Sequence, residues 1–285
     1  MQPISGACFK CPVLSIDEVM MNFQKINRAT QPFQAFIALL IIWECAVRAT
    51  NTPTLILPAP SQIFVALVDG IRDGLYGRDL ASTLSATALG YVVGCVAGIA
   101  LGAILAEYRV LERLFYPLIV ALQSLPKIAL APLFVMWFGF GMLSKTVTVA
   151  LLCFFPLLVN AMTGIAAADP DRVTLLHAMA ASRSQIFIHV KLPSAASSIF
   201  AGLQVSVVLA LIGALVAEFI GSDSGMGIVI EATRSNLDTP GMFAALVILA
   251  VIGLVSTKVI QEIQRKVVFW ERRPGILSAS DAKEV

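Results

Sequence analysis

Six long apolar stretches, at residues 33–50, 82–106, 114–138, 144–166, 198–220 and 241–261, alternate with shorter polar segments along the chain. Their apolar residues do not recur at every second position, as in a half-buried strand, but fill all sides of a helical wheel, so each stretch predicts an enclosed helix. A helix needs about 20 mainly apolar residues to cross about 30 Å of hydrocarbon; five stretches meet that length and the first is marginal. The pattern therefore predicts an all-α polytopic membrane protein with six transmembrane helices. It excludes a transmembrane β-barrel, whose strands would be about ten residues long and alternate polar with apolar positions.

Details within the pattern differentiate the spans. The second carries Gly90, Gly94, Gly98 and Gly102 at four-residue intervals, a single groove that lets another helix approach closely. Such a ridge is read first as internal packing, with a place on a substrate path as the second reading. The third contains Pro117, Pro126 and Pro132 around the sequence Gln123-Ser124-Leu125-Pro126-Lys127. Each proline removes a backbone donor, and irregular backbone at membrane depth survives only beside protein or a water-filled cavity. Gln123, Ser124 and Lys127 are accordingly candidates for a solute path. The alternative is that the span ends near Pro126 and leaves Lys127 at an interface. Glu218, near the end of the fifth span, is a weaker path candidate, because intramembrane acids usually pair. Between the first two spans, residues 58–74 predict a short surface helix capped by Ser61, with Ile63, Phe64, Leu67 and Ile71 on one face.

The segment 167–197, between the fourth and fifth spans, predicts two further helices. Asp169 and Pro170 form a start signal, followed by Val173, Leu175, Leu176 and Met179 on one face, with Ala178, Ala180 and Ala181 as small neighbours. Ser182 can cap a second helix bearing Ile186, Phe187 and Val190, which Pro193 would end. This makes either a compact knob suited to a groove on another protein or a hairpin packed on its own bundle.

Composition sharpens the picture. Charged residues make up only 13% of the 285, against 58% hydrophobic, where soluble domains carry about 25% charged residues. Inside the six stretches the charges are Glu44, Arg48, Lys127, Lys145, Glu218 and Lys258. With six crossings and the N-terminus inside, cytoplasmic segments hold thirteen Lys and Arg residues and external ones only Arg72, Arg78 and Arg234, which favours both termini in the cytoplasm. The net charge of +2 argues against a nucleic-acid partner. Cys45, Cys95 and Cys153 fall singly in three spans and read as small packing residues. Cys8 and Cys11 have the spacing of a metal pair, but no second pair or nearby histidine completes a site. Residues 1–31 show no cleavable signal peptide.

The loop sequence VTLLHAMAASRSQIFIHVKLPSA resembles the signature of the membrane-spanning subunits of bacterial ATP-binding cassette importers: Glu-Ala-Ala, three residues, Gly, nine residues, Ile, one residue, Leu-Pro. Leu192 and Pro193 agree with it, and Val190 replaces Ile. Thr174 stands where Glu is usual, Leu175 and Leu176 where Ala-Ala is usual, and Ala180 where Gly is usual. A left-handed conformation at that position would cost an alanine about 1 kcal/mol. The segments LLIIWECAVR, LILPAPSQI, SLPKIALAPLFVMWFGFGMLSK and LIGALVAEFIGSDSGMG extend the likeness over residues 36–262. They are similar to the subgroup that imports nitrate, taurine, alkanesulfonates and some pyrimidine or vitamin precursors.

The resemblance implies a type I importer-permease bundle: a cytoplasmic N-terminal segment 1–31, a six-helix permease domain 32–264 containing the coupling loop 167–197, and a cytoplasmic tail 265–285. It further implies residence in the bacterial inner membrane, a second copy of the chain, two cytoplasmic ATPase subunits that hold ATP and Mg, and an external solute-binding protein. Thr174, Leu175, Leu176, His177, Ala178, Met179, Ala180, Ala181 and Ser182 would contact the ATPase. The solute expected is a small anion of nitrate, sulfonate or taurine type. The chain itself should hold no cofactor and catalyse no reaction: GFGMLSKT at 139–146 has Ser144 where a phosphate loop needs glycine, and His177 and His189 lie together in one loop without a convergent acid. The competing classes are an ion-coupled carrier or channel, which usually leaves several buried ionisable residues, and a membrane-embedded enzyme.

Overall fold

The computed structural model describes residues 34–271, whose regular secondary structure is all helical, without strands. The N-terminal 31-residue segment, with Cys8 and Cys11, and the tail beyond 271 lie outside the described residues. The chain divides after Ile63 into two compact units.

The first unit holds helix α1 (34–49) and the start of α2 (Pro60–Arg72). The described part of α1 has sixteen residues, shorter than the ~20 that a perpendicular crossing requires. Ser61 is not the cap of α2, because it already lies inside the helix. Its N–H donates to Glu44 Oε2 at 3.0 Å and its hydroxyl to Glu44 Oε1 at 2.8 Å. A carboxylate from seventeen residues upstream thus satisfies donors at the helix start and complements its positive end, while Arg48 holds the same carboxylate at 2.6 Å. Of the apolar face expected on α2, Ile63 is buried and Leu67 half-buried, whereas Phe64 and Ile71 are exposed.

Among the described residues, the second unit contains four helices long and apolar enough to span a bilayer. These are α3 (Gly77–Glu107), α6 (Met142–Ala166), the continuous run Arg183–Gly221 that ends in α9 (Leu192–Gly221), and α11 (Thr239–Val267). The expected third span is a broken pair instead. Helix α4 (Arg109–Ser124) stops at Leu125–Pro126, a 3-10 turn covers Lys127–Leu130, and α5 (Ala131–Phe138) leaves at 82°. The three prolines act differently: Pro117 is carried inside α4, Pro126 marks the break, and Pro132 sits in the first turn of α5, where a missing N–H costs nothing.

Helices α3, α6 and α9 form the centre, and small residues explain how. A methyl group added at Gly90, Gly94, Gly98 or Gly102 would fall on the α6 carbonyl oxygens or side chains of Thr146, Val149, Ala150, Phe154 and Leu158. All four glycines are buried. The ridge is therefore a packing surface in this unit and faces α6, not a cavity. On the other side of α6, Gly164 meets Ala195 and Ser198, and Gly202 meets Asn160. Dispersion along closely approached backbones replaces the hydrophobic effect, which does not drive helix association in lipid. Cys95 and Cys153 lie buried in this core with Val149, Leu157 and Ala210, whereas Cys45 is exposed.

A short helix α10 (Met226–Ser235) joins α9 to α11, so one end of the bundle carries α10 and the starts of α3 and α6. The opposite end carries α7 (Pro170–Ala178) and α8 (Arg183–Ile186). There the Lys191 ammonium meets the Glu107 carboxylate at 2.6 Å, fastening the foot of α9 to that of α3.

Candidate functional site

The knob between the fourth and fifth spans is built from local signals. Pro170 occupies the first turn of α7, where its missing N–H is one of the orphans. Asp169 accepts from the Asp171 N–H at 3.0 Å, and the Thr174 hydroxyl donates to the Pro170 carbonyl at 2.8 Å. Ala180 follows with φ of +59°, the left-handed conformation in which its methyl group is strained. Ser182 then starts α8 with a reciprocal capping box: its hydroxyl accepts from the Gln185 N–H at 3.3 Å, and its N–H donates to the Gln185 side chain at 2.7 Å.

Pro193 does not end this second helix. A π-turn at Phe187–Lys191 carries the chain from α8 into α9, giving one continuous helix over Arg183–Gly221. A proline supplies no N–H and its ring crowds the carbonyl four residues back; the wider π-turn ahead of Pro193 absorbs that misfit. Helix α8 is thus continuous with a membrane span, and α7 is joined to it through the turn at 179–182.

No residue of α7 is buried. Of the face expected from the apolar spacing, Val173 and Leu176 are partly covered, while Leu175 and Met179 are 61% and 70% exposed. Thr174, His177, Ala178, Ala180 and Ser182 are exposed too, and Ala181 is intermediate. Helix α7 therefore presents Leu175 and Met179 outward, whereas the other half of the hairpin turns Ile186, 2% exposed, and Phe187 onto the bundle.

The path candidates gather at the bend between α4 and α5. Lys127 Nζ donates to the Gln123 carbonyl at 3.0 Å and stands 5.0 Å from the centre of the Phe155 ring. A cation placed at the last carbonyls of a helix complements its negative end, and the ring face adds a cation–π attraction. Ser124 donates to the Val120 carbonyl at 3.0 Å and is exposed, whereas Gln123 and Lys127 are half-buried.

Glu218 is not with them. It has no exposed surface and pairs with Lys145, itself 2% exposed, at 3.3 Å. Thr83 donates to the same carboxylate at 2.8 Å, and the Gly227 N–H donates at 2.9 Å. Lys145 also donates to the Ser82 hydroxyl and the Ser224 carbonyl. The adjoining turn is held by Asp79, which accepts from the Gly225 N–H at 2.7 Å, and by Thr83, which accepts from the Met226 N–H at 2.8 Å. Side chains from α3, α6 and α9 thereby satisfy four consecutive residues of the turn that starts α10. Nearby, burial and the negative charge of Asp238 push the Tyr76 phenol above its ordinary value.

The sequence points to a paired Glu218 but not to this partner: Lys145 stands there only as one of the charges in the apolar stretches and in a deficient phosphate loop, and GSDSGMG only inside a segment similar to the importer family. The available signal was one acid and one base, each near the same predicted end of an apolar span. Asp79 and Thr83 carried no signal of their own.

Comparison with known proteins decides what such a bundle is. Residues 98–268 match the family described as the binding-protein-dependent transport system inner membrane component. The chain belongs to this family. The permease is 35% identical to the formylaminopyrimidine transport permease ThiX of Halalkalibacterium halodurans over 86% of this chain and 98% of that one. It is 33% identical to the riboflavin transport system permease RibX of Chloroflexus aurantiacus over 82% and 87%. It is 29% identical to the putative aliphatic sulfonates permease SsuC of Bacillus subtilis over 81% and 84%. Among solved structures, the permease superposes on a chain of the MetNI methionine ABC transporter in an inward-facing conformation. The TM-score is 0.58 at 17% identity, covering 66% of this chain and 94% of that one, a likeness of fold. The permease is thus a multi-pass inner-membrane subunit of an ATP-binding cassette importer, of the type that includes sulfonate and taurine permeases.

Proposed function

We propose that the permease forms half of a translocation path, working with a second copy, and is driven through α7 by two cytoplasmic ATPase subunits. An external binding protein delivers the solute, and ATP and Mg belong to the ATPases. The observation that carries this reading is the outward-facing α7, a capped helix with Leu175 and the adjoining Met179 exposed, joined by a four-residue turn to the helix that runs on as a span. A knob of that kind transmits a push only if its partner binds the two states of the bundle unequally. Thr174, Leu175, His177, Ala178 and Met179 form the contact, with Ala180 and Ser182 shaping the turn behind it.

The test is Ala178→Arg. Membrane insertion should stay normal while co-purification of the ATPase and solute uptake are lost; unchanged uptake would remove α7 from the coupling. Uptake should also vanish when the ATPase subunits are omitted, which separates this reading from an ion-coupled carrier.

For the solute, the stronger likeness to ThiX and RibX favours a small pyrimidine or vitamin-precursor type. A second reading, an anion of sulfonate, taurine or nitrate type, is favoured by the positive charge of Lys127 at the bend. Competition of labelled uptake by formylaminopyrimidine, riboflavin and taurine separates the two. Lys127→Ala should weaken import of an anion more than assembly, and leave a neutral solute unaffected.

A further inference from the structure

Six charged residues lie in the apolar stretches, and five have partners. Glu44 and Arg48 hold each other, as do Lys145 and Glu218, and Lys127 has the Gln123 carbonyl and the Phe155 ring. Lys258, on the exposed side of α11, is the remaining one, without a hydrogen-bond or ion-pair partner among the described residues. The acid one turn further, Glu262, is taken by Arg265 at 2.6 Å. An ionisable side chain inside a span is costly, and it normally pairs or marks a site.

Lys258 stands at one end of an open apolar groove between α9 and α11. The groove encloses about 630 Å³ and is walled by Leu211, Leu215, Leu249, Gly253 and Leu254. From Leu246, at the other end, to Lys258 is twelve residues of α11, or about 18 Å of helix. That is close to the thickness of one leaflet, half of about 30 Å. Lys266 continues the basic character on the same face of α11, toward the end of the bundle that carries α7. The groove is thus hydrocarbon-lined for the depth of a single leaflet and terminates in an unneutralised cation.

We propose that this groove binds an anionic phospholipid, with an acyl chain along the leucine wall and the headgroup phosphate paired with Lys258. Phosphate supplies the negative charge that no described side chain provides, and a flexible lysine can extend along the helix to meet it at the interface.

The experiment uses the full permease assembled with its ATPase subunits. Bound lipid is counted by native mass spectrometry after exchange into phosphatidylglycerol or phosphatidylcholine. The wild type should retain phosphatidylglycerol selectively. Lys258→Met should lower that retention about five-fold, and Lys258→Arg should restore it. Because Lys258→Met removes an unpaired intramembrane charge, it should not impair folding. Leu254→Trp, which fills the groove, should reduce retention of both lipids. Equal phosphatidylglycerol retention by wild type and Lys258→Met would overturn the proposal. So would cross-linking of Leu254→Cys, in native membranes, to a second copy or to helix 34–49, since a polypeptide would then occupy the groove.

Discussion

At the residue scale, the Lys145–Glu218 pair shows how a chain with few charges uses them. Two ions that would be costly singly in a low-dielectric interior are bound to each other and to Thr83, Ser82 and the turn backbone. Removing one partner leaves the other uncompensated, so Lys145→Met or Glu218→Leu alone should destabilise the purified protein by about 3–5 kcal/mol. The double variant should recover part of that loss, as read from thermal unfolding of all four proteins. Additive losses would mean that the two side chains act independently. The pair was not legible in the sequence, because positions 145 and 218 become neighbours only through the register of α6 against α9. Sequence shows that each residue lies in an apolar run; it does not show which side of the helix each faces. Lys127 illustrates the same limit, since the run predicted a charge at a proline break but not its engagement with Gln123 and Phe155.

At the element scale, the small-residue ridge of α3 was fully legible, because an interval of four is nearly one helical turn and needs no tertiary information. What the spacing could not give was the partner, α6. Gly94→Val should force the two helices apart, since even a methyl group there would fall on the Ala150 carbonyl. The expected outcome is loss of folded yield in detergent, with Gly77→Val, where space is open, as the tolerated control. The capping signals of α7 and α8 were equally readable, being local. Pro193 was misleading, because a π-turn accommodates it inside a longer helix. The left-handed Ala180 between the two helices marks a second test. Ala180→Gly should preserve uptake and relieve about 1 kcal/mol of local strain, whereas Ala180→Val, β-branched in the same conformation, should reduce both uptake and the hydrogen-exchange protection of α7. Equal behaviour of the two variants would show that the turn conformation is immaterial.

At the scale of the whole molecule, the second unit has two ends with different duties. Glu107 and Lys191 fasten the end that carries α7, and Lys145 and Glu218 fasten the end that carries α10. Between these points α9 is packed through Ala195, Gly202, Ala210 and Ala214 without a break, so under the proposed coupling a push that reaches the foot of α9 would be passed to its far end. The number of apolar stretches, and hence the membrane class, could be read directly from the chain. The sharp 82° departure of α5 could not, because a proline states where a helix stops and not the direction in which the chain continues. The π-turn at Phe187–Lys191 also fixes the clocking of the knob. One surplus residue is wound into that turn, which absorbs the ~100° that an extra residue would otherwise add to the helix. Deleting Ile188 should therefore leave α8 near its present heading but close the turn, setting the proline ring against the carbonyl four residues before it. The excised protein would have to bend where the native chain runs straight, like a sleeve cut one stitch too short.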